Sequence, residues 1–247
     1  MGILDAPAAD WRGKPLAVLH PARDIPSALA WFDASTLTGS NGQALTQWAA
    51  SFGGFSMNLT PATNKPTLLT AAANGLNAVR FAPTSYFRNT DTFGAGGQGL
   101  ISGWAQPLSF AFVFRMSTDY AVTGNVSPIG SSSMNISIAQ NGLSLYGNAG
   151  TAGNTQSPQV NDGQWHVAVF NFGTGGANLY LDGYIASVTA TNLGAGTLTN
   201  LFFGTGLGLA PTAGTLDLAE VIIAQSVLTL SRVDDLTRKL ATKWGIS

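Results

Sequence analysis

The run Gly163-Gln164-Trp165-His166-Val167-Ala168-Val169-Phe170-Asn171-Phe172 leads, a few residues on, to Leu179-Tyr180-Leu181-Asp182-Gly183-Tyr184-Ile185-Ala186-Ser187-Val188. Together these segments limit the fold more than any other part of the chain. The first is an apolar strand opened by Trp165 and His166. The second is a hairpin turning on Asp182-Gly183, a pair that readily takes the positive φ angles of a type I′ turn. Strands joined this tightly are antiparallel and need a sheet around them.

The rest of the chain supplies that sheet. Over Leu108–Met116, Phe110, Phe112, Phe114 and Met116 fall on one face, and Ser109, Ala111, Val113 and Arg115 on the other. Short strands are expected at Ala28–Phe32, ending at Asp33, and at Asn77–Ala82. Others are expected near 134–138, 143–147, 198–203 and 215–224. Gln140-Asn141-Gly142 separates the 134–138 and 143–147 strands. Gly39–Gly42 reads as a turn and Thr46–Gly54, around Trp48, as an irregular loop. Gly, Asn and Thr punctuation at this spacing indicates an all-β sandwich. The end changes period. Val233, Leu236, Leu240 and Trp244 repeat at helical spacing, with Asp234/Arg238 and Asp235/Lys239 as i,i+4 pairs opposite. Thr229 or Ser231 supplies the N-cap and Gly245 the stop, so a structural amphipathic helix over 229–244 closes the sandwich.

Residues 1–27 carry Pro7, Pro15, Pro21 and Pro26 without periodicity and read as an extended N-terminal arm. Residues 28–247 form one domain. The first eleven residues lack a basic start and an apolar h-region, so no signal peptide is expected. No run approaches the roughly 18 apolar residues of a membrane span.

Charged residues are only 9% of the chain, against about 25% in an average domain. Gly, Ser, Thr, Asn and Ala must therefore cover the surface. Such a surface repels itself weakly and is easily buried against other subunits, so a homo-oligomer is expected. A net charge of −1 without a basic run makes no electrostatic case for nucleic acid or an anionic membrane. The absence of cysteine excludes disulfides and thiolate metal sites.

Nucleophilic catalysis needs a base beside Ser or Thr. The histidines are His20 and His166, and no Gly-x-Ser-x-Gly elbow occurs. His166 reads as a satisfied strand histidine; His20, beside Pro21, has no evident partner. Gly94-Ala95-Gly96-Gly97-Gln98-Gly99 fits a nucleotide-loop spacing but lacks a strand-to-helix context, so it reads as a loop. Gly204, Gly206 and Gly208 read the same way.

The Trp-His strand and Leu-Tyr-Leu-Asp-Gly hairpin resemble the laminin-G-like branch of the concanavalin A-like lectin/glucanase superfamily. Leu29-Ala30-Trp31-Phe32-Asp33-Ala34 followed by Gln47-Trp48 resembles the first strand of its bacterial and phage members. Asn77-Ala78-Val79-Arg80-Phe81 resembles their second. Leu218-Ala219-Glu220-Val221-Ile222-Ile223 and Lys243-Trp244-Gly245-Ile246 resemble their closing strand and helix. The resemblance spans residues 28 to 246 and implies a jelly-roll β-sandwich.

It also sets the chemistry to test. Glucanases of the superfamily carry a Glu-x-Asp-x-(x)-Glu strand that puts acid and nucleophile on one face, about 5 Å apart. This chain has one glutamate, Glu220. Its nearest acid, Asp217, is an odd number of residues away, so on a regular strand the two point to opposite faces. A glycoside hydrolase is disfavoured and no enzyme is expected. Laminin-G-like domains often hold calcium between loops, which makes Asp33, Asp91, Asp119 and Asp162 candidate ligands. Without an Asp-x-Asp cluster each reads instead as a turn cap, and no cofactor is expected. Glycan binding would draw on Trp104, Tyr86, Tyr120 and Tyr146, aromatics in or beside loop-like segments.

The function expected is that of a non-enzymatic structural protein of a phage virion, a head decoration, head fibre or tail component. The start Met-Gly-Ile-Leu-Asp-Ala-Pro is similar to those of small phage structural proteins. Such a protein is made in the host cytoplasm and resides in the virion. Its arm docks onto other virion proteins through Ile3, Leu4 and Trp11, and its lectin-like sandwich projects outward. The alternative is a carbohydrate-binding adhesin or receptor-binding module that touches host surface glycans.

Overall fold

The computed structural model describes residues 20, 24–54, 56–58, 65–88, 104–121, 126–130, 135–138, 144–148, 155–173, 176–189, 197–198, 201–208 and 213–247. The early strands are β1 (Ala28–Asp33), β2 (Gln47–Ala49), β3 (Ser56–Asn58), β4 (Thr67–Ala73), β5 (Leu76–Phe81), β6 (Tyr86–Arg88) and β7 (Leu108–Met116). The middle strands are β8 (Val126–Gly130), β9 (Asn135–Ile138), β10 (Ser144–Asn148), β11 (Thr155–Gln159) and β12 (Trp165–Gly173). Then come β13 (Gly176–Leu181), β14 (Tyr184–Thr189), β15 (Phe202–Gly208), β16 (Leu216–Ala224) and the helix α1 (Leu230–Trp244).

The strands form two sheets. One runs β14-β13-β12-β7-β16-β5-β4, and the other β11-β10-β9-β8-β15-β6-β3-β2. In the first, β5 pairs with Leu216–Leu218 of β16, and β1 pairs with the rest of the same edge, Asp33 opposite Glu220 and Ala28 opposite Ala224. Every strand pairing among the described residues is antiparallel, in keeping with the hairpin and short punctuated strands.

The period-2 pattern of β7 explains its place at the centre. Phe110, Phe112, Phe114 and Met116 enter the layer between the sheets, where they join Phe32, Trp48, Phe170 and Phe203. Phe32, Trp48 and Phe203 meet edge-on with centroids 4.9 to 5.8 Å apart. Ala111 and Val113 point the other way, into a second cluster covered by α1 through Val233, Leu236, Leu240 and Trp244. Burial of each large side chain contributes roughly 1.5–3 kcal/mol, so the helix is part of the core.

Local turn chemistry follows the sequence. Asp182 and Gly183 have φ of 52° and 85°, as a type I′ hairpin needs. Gly245 ends α1 in the left-handed region at φ 66°, and the Ile246 N–H reaches back to the Ala241 carbonyl at 2.9 Å. Thr229 is the N-cap through its carbonyl, which accepts from Arg232 and Val233; its hydroxyl makes no capping bond and lies 3.2 Å from the Ser231 hydroxyl.

Several details differ from the sequence reading. Trp48 lies in β2 rather than in a loop, because it pairs opposite Met57 and its ring fills the core. Gly204, Gly206 and Gly208 lie in β15 rather than in a loop. Gly204 is required there: at φ 98° a Cβ would collide with the Phe81 ring and meet the Ser85 carbonyl oxygen at 2.7 Å. Lys239 pairs with Asp235 at 2.9 Å as expected, but Arg238 turns to Asp235 at i,i+3 (2.7 Å) rather than to Asp234.

Candidate functional site

The opening of β12 is where side chains of different elements converge on a concavity. In the turn before it, Asp162 Oδ1 accepts from the Gln164 N–H at 2.8 Å, and Gly163 takes φ 79°. The type I′ hairpin folds Asp182 back over the same point. The Asp182 N–H donates to the Val167 carbonyl at 2.8 Å, and the Val167 N–H donates to Asp182 Oδ1 at 2.8 Å. His166 stands between the two acids, with Nδ1 2.8 Å from Asp182 Oδ2 and Nε2 3.1 Å from Asp162 Oδ1. These residues, with Gln164, Trp165 and residues 245–247 past the end of α1, line a cleft of about 310 Å³.

This geometry fixes a proton. Ionised carboxylates only accept hydrogen bonds, so two carboxylates facing one ring require N–H on both nitrogens. Burial alone would lower the basicity of His166; its hydrogen bonds to Asp182 and Asp162 and their charges outweigh it and hold the imidazole above its ordinary range. Partial burial likewise pushes Asp162 up, but the Gln164 N–H and His166 outweigh it and hold that carboxyl below its ordinary range. The sign of the linkage follows. The His166 contribution is complete below the unfolded histidine value, near 6.5, and is lost as pH rises through the raised folded value. The Asp162 contribution is present above the unfolded aspartate value and is lost as pH falls through the lowered one. Thermal melts of the protein and of His166→Gln should differ most, on the order of 1 kcal/mol, in weakly acidic to neutral solution and converge at alkaline pH. A difference that grows with pH would contradict the assignment.

A second polar cluster lies under the C-terminal turn of α1. Glu220 is fully buried. Its Oε1 accepts from Trp31 Nε1 at 2.6 Å, and its Oε2 accepts from Trp244 Nε1 at 2.7 Å and Lys243 Nζ at 2.8 Å. Lys243 also reaches Asp33 Oδ2 at 2.7 Å and lies over the Trp31 and Trp244 rings. Burial pushes the Glu220 carboxyl up while the Lys243 charge pulls it down. Beside this cluster, Asp217 is gripped by Arg80 (2.8 Å) and Arg115 (2.7 Å). The Arg115 guanidinium lies 4.9 Å from the Trp165 ring, and Trp165 stacks on Trp244.

These contacts correct the parity of the two acids. The register of β16 shifts between Leu218 and Glu220, so Asp217 sits opposite Arg115 and Glu220 opposite Val113. Arg115 and Val113 share a face, and so do Asp217 and Glu220. The bulge cancels the odd spacing. The pair is nevertheless built into the helix contact: Glu220 has no exposed surface, and both acids are held by cations.

The glycan candidates separate. Tyr120 is 1% exposed, so it offers no ring face to a ligand; burial also pushes its phenol far up, and its hydroxyl has no partner among the described residues. It is displaced from the set because the turn around Asp119 folds it inward. Trp104 is half-buried, packs against the core and pairs by backbone with Leu198. Tyr86 is half-buried on β6. Tyr146 lies on β10, its side chain outside the described residues. Ile3, Leu4, Trp11, Asp91 and the glycine run 94–99 also lie outside them. Asp33 caps the turn after β1 by accepting from the Ser35 N–H and hydroxyl, Asp162 caps the turn before β12, and Asp119 is exposed.

Sequence reasoning missed the convergence of Asp162 and Asp182 on His166. The signal was present: an aspartate four residues before the histidine, and a two-residue hairpin whose aspartate must return beside β12.

No protein-family model matches the chain, and no curated protein matches it in sequence. Solved structures do match in shape. Trypanosoma rangeli sialidase in complex with sialic acid is 12% identical, with a TM-score of 0.57 over 97% of this chain and 36% of the sialidase. The binding domain of Paraclostridial Mosquitocidal Protein 1 is 11% identical, with a TM-score of 0.62 over 87% of this chain and 52% of that domain. The botulinum neurotoxin serotype D/C binding domain is 12% identical, with a TM-score of 0.54 over 88% of this chain and 53% of that domain. The chain thus spans about a third of the sialidase and half of each toxin domain. At these identities the likeness assigns the fold: a jelly-roll β-sandwich of lectin-like type, closed by a C-terminal helix.

Proposed function

We propose that the chain is a non-enzymatic structural protein of a phage virion, a head decoration, head fibre or tail component. It docks through residues 1–27 and projects the sandwich outward. The observation that carries this reading is the root of the arm. Ile25 is buried against the α1 cluster. Lys239 Nζ reaches Asp24 Oδ2 at 3.2 Å, and Arg232 Nη1 donates to the Asp24 carbonyl at 2.6 Å. Ser27 bonds Ser226 through their hydroxyls at 2.6 Å, and its carbonyl accepts from the Gln225 N–H. These contacts anchor residues 24–27 to the sandwich, which supports an arm that starts from a fixed root. The low surface charge supports burial against other subunits. Full burial of Ile3, Leu4 and Trp11 in a neighbour would contribute roughly 1.5–3 kcal/mol each.

Removal of residues 1–20 tests it. The shortened chain should keep the circular dichroism and melting transition of the sandwich and lose incorporation into particles. Incorporation at the full-length level would sink the docking role.

A second reading, a carbohydrate-binding adhesin or receptor-binding module, is compatible with the first. It is favoured by the likeness to a sialidase that holds sialic acid and to toxin binding domains. A projecting lectin-like sandwich is suited to touch host surface glycans.

A further inference from the structure

The cleft at the opening of β12 offers groups that the His166 clasp leaves unused. Asp162 Oδ1 accepts from Gln164 and His166, and the side chain is 50% exposed, with lone pairs left for a ligand. Each Asp182 oxygen accepts one bond and keeps a second lone pair, on a side chain 36% exposed. Gln164 is exposed at the mouth and carries an amide with donors and an acceptor. The Trp165 indole on the lining is held between Arg115 and Trp244. Tyr184, two residues past Asp182, is 80% exposed.

We propose that this cleft is a saccharide site, in which vicinal hydroxyls of a pyranose donate to Asp162 and bond the Gln164 amide, while Tyr184 on the adjoining hairpin supplies an aromatic face. The proposal rests on the carbohydrate-binding reading above. Hydroxyl-to-carboxylate bonds are charge-assisted and stronger than neutral ones. The imidazolium between the acids offsets one of their two charges, which leaves an acceptor-rich surface suited to a neutral polyol. Both acids are oriented before a ligand arrives, which lowers the ordering cost of binding.

The same clasp makes the site pH-dependent. The charges facing His166 are Asp162 from the preceding turn and Asp182 from the hairpin; β7 presents only the uncharged Phe114 ring, 5.5 Å away. When the imidazolium loses its proton, one ring nitrogen turns a lone pair on a carboxylate. A backbone N–H holds each acid, and the contact to Asp162 is the longer, 3.1 Å against 2.8 Å, so it is the one released. Binding therefore weakens as pH rises through the His166 value.

The test is a broad glycan array probed with the full chain at about pH 6 and about pH 9, with Asp162→Asn, Tyr184→Ala and Trp104→Ala beside it. Circular dichroism controls folding. The expected result is wild-type binding at the lower pH that falls at the higher one, reduced roughly tenfold in Asp162→Asn and Tyr184→Ala and unchanged in Trp104→Ala. Glycan binding that survives both Asp162→Asn and Tyr184→Ala would overturn the site and leave the carbohydrate-binding reading standing. An array that stays blank for the wild type would overturn that reading and the site together.

Discussion

Glu220→Ala is expected to lower the free energy of unfolding by about 3–5 kcal/mol, the loss typical of breaking a buried ion pair from one side. Three donors lose their acceptor at once: the indoles of Trp31 and Trp244 and the ammonium of Lys243. Lys243 keeps Asp33, but the two indole N–H groups are left without it, at a cost of about 1–3 kcal/mol for each buried donor. Glu220 is in β16 and its donors are in β1 and α1, so the substitution loosens the join that holds the helix on the sheet. Glu220→Gln should cost less, because its amide oxygen still accepts from one indole. Urea unfolding followed by tryptophan fluorescence measures both. A loss below about 1 kcal/mol for alanine would mean that packing of Trp244 and Leu240 holds α1 without the polar cluster.

Gly214→Ala is expected to destabilise by about 3 kcal/mol for a different reason. Gly214 sits at φ 79°, where a side chain costs about 1–2 kcal/mol. A Cβ there would lie 2.5 Å from the Tyr120 Cα and 2.6 Å from its backbone nitrogen. Those neighbours are main chain, held by the Ala121 N–H to the Ala213 carbonyl (3.2 Å) and by the Thr215 N–H to the Ser117 hydroxyl (2.8 Å). Relief therefore requires moving the start of β16 away from the end of β7, and overpacking of this kind costs typically 1–3 kcal/mol. Gly75→Ala is the control. Gly75 has φ 74° with nothing within 4 Å of a new Cβ, so only the same backbone cost of about 1–2 kcal/mol should appear. Equal losses at the two sites would refute the steric half of the account.

What the chain discloses by itself depends on range. The β7 alternation, the α1 stripe and the Asp182-Gly183 turn are local patterns, and the structure has each where the pattern puts it. The all-β sandwich was legible for the same reason; its lectin-like type was implied by the resemblance of the Trp-His strand and its hairpin. The bulge between Leu218 and Glu220 was not, because it exists only in the pairing of β16 with β7. Strand β4 lacked a clean alternation: Ala71 takes φ 50° and the register with β5 slips between Leu69 and Ala73. Tyr120 illustrates the limit for site residues. A tyrosine beside a turn aspartate reads as exposed, yet its burial is decided by distant parts of the chain such as Gly214, which packs against its backbone. The cleft was legible only in part: Asp162 lies four residues before His166, whereas Asp182 reaches it when the hairpin closes.

The displayed-module account is tested most directly by epitope accessibility on intact particles. A tag placed before Met1 and a tag placed after Ser247 are carried by separate copies of the full chain, and antibody binding to purified particles is counted for each. The account predicts that the C-terminal tag is bound on intact particles, while the N-terminal tag is either shielded or prevents incorporation. Equal labelling of both tags on intact particles would contradict it.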